Sequence, residues 1–104
     1  MESGKYEELL LSAISVWEVS KLIEKKRLTL SVDGASWIES ALEEPRLRLC
    51  ELSPKVSWLS TQLPAPFHDD PADQIIVATA RLEGATVLTA DRLILKYPHV
   101  RSIG

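Results

Sequence analysis

The chain alternates short apolar runs with amphipathic stretches. The run "LLLSAIS" (residues 9–15) is apolar and then small and hydroxyl-bearing, without the alternation of a half-solvated strand, and reads as a buried strand. From residue 15 the spacing turns helical, with Val16, Val19 and Ile23 on one side of "SVWEVSKLIEKKRL". Ser15 and Glu18 stand at the spacing of a capping box, which predicts a helix beginning at Ser15 with Glu18 on its first turn. "DGASWIESALEE" (33–44) predicts a second helix capped by Asp33 and stopped by Pro45. "RLRLCEL" (46–52) alternates as a strand does, and "SPKVSWLSTQL" (53–63) offers Ser53 as cap and Pro54 as first helical residue.

Three of the six prolines fall in "PAPFHDDP" (64–71), a loop. "PADQIIVATARLE" (71–83) is a helix closed by Gly84. An apolar strand "ATVLTA" (85–90), a short helix "DRLILKY" (91–97) and a last strand "VRSI" (100–103) complete the chain. Strands buried on both faces and separated by helices predict an α/β fold, a parallel sheet flanked by helices. In such folds sites form beyond the carboxyl ends of the strands, where helices begin.

Composition narrows the class. A length of 104 residues, 45% of them hydrophobic and 26% charged, suits one domain spanning 1–104. Cys50 is the only cysteine, so no internal disulfide forms and a reducing cytoplasm is expected. No apolar run reaches membrane-spanning length, and "MESGKYEE" has no signal-peptide layout. A net charge of −3 argues against a broad basic surface for nucleic acid, but not against phosphate held through cations on carboxylates.

Three carboxylates stand at helix starts: Glu18, Asp73 and Asp91. Each has a local explanation, since acids on a first helical turn are favoured by roughly 0.3–1 kcal/mol; Asp70 is a natural cap before Pro71, and Asp91 can cap its own helix. Brought to one edge by a parallel sheet, however, the three repel unless a cation lies between them, and clustered oxygens suit Mg²⁺ or Mn²⁺. Such ions support phosphoryl displacement.

Five features in order, "SAISVWEVSK", the Trp of "SWIESAL", "LP…HDDPADQIIVATA", "EGATVLTAD" and "YPHV", resemble the PIN-domain ribonucleases, specifically VapC-type toxins of bacterial toxin–antitoxin pairs. The resemblance implies a metal-dependent endoribonuclease using Mg²⁺ or Mn²⁺, an RNA substrate, a cognate antitoxin and a homodimer. On it Glu18, Asp73 and Asp91 match the second, third and fourth metal-site acids, and Thr89 the hydroxyl residue near the last. The family's first acid, in an Asp-Thr-His-like motif on a first strand, has no counterpart here, and Gln74 stands where a basic residue is common. The expectation is an N-terminally truncated domain whose "LLLSAIS" and "ATVLTA" strands close the gap by direct pairing or by segments exchanged between two chains. The missing acid sets two outcomes against each other, a ribonuclease with a weakened site and a disabled remnant that binds antitoxin or dimerises. A phosphotransfer receiver is disfavoured, because "VLTAD" ends in an acid where a lysine is needed.

Lys21, with Lys25, Lys26 and Arg27 beside it, either guides an RNA backbone or forms a solvated face paired to Glu18 and Glu24. His68 is a metal ligand, a proton-transfer group, or a hydrogen-bond partner of the nearby acids. Trp17, Trp37 and Trp58 are expected in the core or a dimer interface rather than stacking on bases, and Cys50 in the core. Isolated glycines leave no phosphate-binding loop.

Overall fold

Strand β1 (Leu9–Ser12) and strand β2 (Leu47–Cys50) run parallel, from Leu9 beside Leu47 to Ser12 beside Cys50. The computed structural model describes residues 9–104; the N-terminal octapeptide without signal-peptide layout lies outside them. The chain divides into two compact units, Met1–Glu51 and Leu52–Gly104.

In the N-terminal unit, helices α1 (Ala13–Glu24) and α2 (Gly34–Leu42) form the connection between β1 and β2. The expected start of α1 is corrected by three residues. Ser12, not Ser15, is the cap, and its hydroxyl accepts from Ile14 N at 3.3 Å. Pairing with β2 stops at Ser12, so no sheet bond holds residues 13–15 extended and the first available hydroxyl nucleates the helix. Glu18 therefore lies in the second turn, outside any capping box. Asp33 caps α2 as expected, accepting from Ser36 N at 3.1 Å. The expectation of full burial fails for β1, none of whose residues is buried, whereas Cys50 is buried. Trp17 and Trp37 are exposed; Trp17 lies one turn before Lys21, whose ammonium sits 5.9 Å from its ring.

The C-terminal unit opens with α3 (Pro54–Ser60), capped by Ser53, and α4 (Pro71–Glu83), which pack on each other. Strand β3 (Val87–Leu88), helix α5 (Arg92–Lys96) and strand β4 (Ser102–Ile103) follow, with β3 and β4 parallel. Val77, Ala80, Val87, Ile94 and Tyr97 form the core, with Leu63, Phe67, Ile76, Ala85 and Val100 against it. Val77 is fully buried, a burial worth about 1.5–3 kcal/mol. Gly84 closes α4 in the left-handed region at φ 66°, and Ala85 N reaches back to Ala80 O at 2.8 Å, a turn that glycine alone enters without strain. Trp58, on α3, is 65% exposed; with Trp17 and Trp37 it corrects the core half of the expectation, because helix faces carrying other side chains face the core, while this exposure is compatible with the interface half.

The fold is thus α/β with parallel strands, in two two-stranded sheets. The anticipated pairing of "LLLSAIS" with "ATVLTA" is replaced by β1 with β2 and β3 with β4. Ladder bonding at β3 is brief, and Leu88 is 78% exposed, against the expectation of strands buried on both faces.

Candidate metal centre

The loop before α4 is fastened from both ends. Tyr97, at the end of α5, donates its hydroxyl to Pro64 O at 2.6 Å, and its ring meets Phe67 edge-on with centroids 4.6 Å apart. Burial pushes the Tyr97 phenol pKa up from its usual value, and the Arg81 charge works in the opposite sense. Phe67 in turn lies 4.3 Å from the His68 ring. From the helix side, Gln74 donates its amide to His68 O at 3.1 Å. Gln74 was legible in the sequence only as a departure from the family pattern; here it fixes the backbone of the histidine.

The loop so held delivers His68 to Asp73: His68 Nε2 and Asp73 Oδ2 are 2.7 Å apart. An ionised carboxylate only accepts, so Nε2 carries the proton and donates. Asp73 is the third residue of α4, and its backbone N donates to the Asp70 carboxylate at 3.0 Å. Asp70 is therefore the helix cap, and the Asp73 side chain is spared that task. Asp91 caps α5, accepting from Leu93 N at 2.8 Å, while its own N–H donates to Thr89 Oγ1 at 3.0 Å. Thr89 sets the turn that aims Asp91.

One potential ligand atom each from His68, Asp73 and Asp91 lies within 4.8 Å of the others, and all three side chains are half-buried. Of the three acids singled out, Asp73 and Asp91 meet in the C-terminal unit, joined by His68. Glu18 belongs to α1 of the N-terminal unit. Lys21, on the same helix, pairs with Glu24 at 2.5 Å, and the bond from Lys21 holds the exposed Glu24 carboxyl below its usual range. Lys25 ends that helix, and Lys26 lies beyond it at φ 59°. Phe67 and Tyr97 were missed as parts of the site. Nothing local links an aromatic residue in a proline-rich loop to one 30 positions on.

A divalent ion of the Mg²⁺ or Mn²⁺ type takes ligands at about 2.0–2.2 Å, so trans ligands lie roughly 4.2 Å apart. Three groups within 4.8 Å need only a small contraction to meet that size. Two carboxylates suit either ion, and an imidazole, were it to join them, leans toward a transition metal. The donor set fits.

Parallel α/β units with carboxylates gathered where α4 and α5 begin define the class: the PIN-domain profile matches residues 2–100, and the chain belongs to the PIN-domain family, on the side of the VapC-type ribonucleases. Within it, the chain is 34% identical over 97 residues to ribonuclease VapC22 of Mycobacterium tuberculosis, covering 93% of this chain and 73% of that protein.

Proposed function

We propose that this chain is a metal-dependent endoribonuclease of a toxin–antitoxin pair, with Asp73 and Asp91 as the carboxylates that hold a Mg²⁺ or Mn²⁺ ion. The observation that carries the reading is the convergence of His68, Asp73 and Asp91 within 4.8 Å in a chain of this family. When bound, the ion would activate water and offset charge on the phosphodiester. The protein's own part is positional. His68 holds Asp73 Oδ2, leaving Oδ1 free to face a cation, and Thr89 holds the turn that carries Asp91. The same reading carries a cognate antitoxin, a homodimer and a cytoplasmic setting, and takes both units as one PIN domain because the family match spans them. No helix among the described residues is long and apolar enough to cross a membrane.

The test is cleavage of a mixed RNA pool with Mn²⁺, with EDTA, and by Asp73→Asn, alongside calorimetric Mn²⁺ titration of both proteins. Cleavage should require metal and fall by at least about a hundredfold in Asp73→Asn, the order expected for loss of a group that stabilises transition-state charge. Glu18→Gln, at the position matching the family's second acid, is assayed separately. A folded wild-type chain that neither binds Mn²⁺ nor cleaves RNA sinks the enzyme reading and leaves a binding role.

A further inference from the structure

At the other end of α4 the surface carries a depression of about 420 Å³ whose lining includes Arg81, Gly84, His99 and Arg101 and, among the described residues, no carboxylate. Both arginines are exposed, yet both are pinned. Arg81 Nη1 donates to His99 O at 2.5 Å, and Arg101 Nη2 donates to Gly84 O. A guanidinium has five N–H donors, and the bond that each arginine gives to backbone takes one of them and fixes the position of its fork. Pre-fixed forks suit phosphate and carboxylate oxygens, because little side-chain freedom remains to be lost on binding. The end of a helix ordinarily repels anions. Here three carbonyls at that C-terminal end are occupied, Ala80 O by Ala85 N, Arg81 O by Gly84 N and Gly84 O by Arg101.

We infer that Arg81 and Arg101 form an oxyanion subsite that takes a backbone phosphate of single-stranded RNA away from the metal centre. Arg81 and Asp73 share α4, eight residues apart, which is roughly 12 Å of rise and under a quarter-turn of rotation. The face of α4 between them is buried at Val77 and Ala80, so a strand with one phosphate at the acids reaches the arginines over the surface beside this helix rather than along it. Net charge favours a local grip of this kind over a diffuse one, since a chain at −3 has no overall positive field to draw RNA in. The subsite rests on the RNA reading above for its ligand class but not on cleavage.

The test uses the full chain, a fluorescein-labelled RNA of about 12 nucleotides and anisotropy in EDTA, so that neither metal nor cleavage enters. Arg81→Gln/Arg101→Gln should weaken binding by about five- to tenfold and flatten the slope of log K against log salt by about 0.7 for each phosphate no longer neutralised. Because the same arginines clip the chain near its end, Arg81→Lys/Arg101→Lys serves as the second variant; it keeps the charge and should keep most of the slope. An oligoglutamate peptide of equal charge should compete poorly. Unchanged affinity and slope in the glutamine variant, no RNA binding by the wild type, or equal competition by the peptide overturns the subsite. RNA binding that depends on the arginines in a chain that never cleaves upholds it while the catalytic reading falls.

Discussion

Tyr97 is 4% exposed, with its hydroxyl bonded to Pro64 O and its ring against Phe67. Because burial raises its pKa in the folded state, the folded protein keeps this proton at pH values where the unfolded chain has begun to lose it. Its contribution is complete below the ordinary tyrosine pKa near 10 and is lost as pH rises through the higher folded value. Denaturant midpoints should therefore hold level toward pH 10 and decline above it. Tyr97→Phe should lose about 1–2 kcal/mol at neutral pH, through the stranded Pro64 carbonyl, and show a smaller alkaline decline. Urea titrations of the two proteins at several pH values check both. Asp73 and Asp91 were legible in the sequence because helix starts announce themselves through proline and capping acids. The bond from His68 to Asp73 was one of several open readings. The Phe67–Tyr97 contact was not legible, since it depends on tertiary packing across 30 residues.

At the scale of elements, α4 was readable end to end: Asp70 caps, Pro71 begins, Gly84 stops. The start of α1 was not, because Ser15, with Glu18 three residues on, is the stronger local signal, and the length of the β1–β2 ladder overrides it in favour of Ser12. The strand expected over 85–90 shrank to Val87–Leu88 for a similar reason, since strand length is set by a partner rather than by apolar character. The cap of α4 gives a sharp prediction. A Cβ on Gly84 would meet no atom within 4 Å, so Gly84→Ala should cost only the left-handed backbone penalty, about 1–2 kcal/mol. Thermal unfolding measures it, and a much larger loss would mean that the turn also carries packing.

For the molecule as a whole, the proposed ion is a folding ligand as well as a cofactor. A cation that binds the folded chain but not the unfolded one stabilises by about 2.7 kcal/mol at a hundred times its Kd, enough to raise the Tm of a chain this small by about ten degrees or more. Scanning calorimetry with and without Mn²⁺ should show that rise. Asp91→Asn should abolish it while leaving the metal-free Tm nearly unchanged, because asparagine caps helices as well as aspartate does. An undiminished shift in that variant would move the ion elsewhere.

The two carboxylates also differ in what else depends on them. Asp91 spends Oδ1 on the start of α5, whereas the start of α4 rests on Asp70 and leaves the Asp73 side chain without a capping duty. Most replacements at Asp91 would damage folding and chemistry together and be removed by selection even in a lineage that no longer needs the chemistry. Position 73 lacks that capping duty and carries only the bond from His68. In descendants released from selection for the reaction, the acid at 73 should drift first, leaving the one at 91 as a relic of the site.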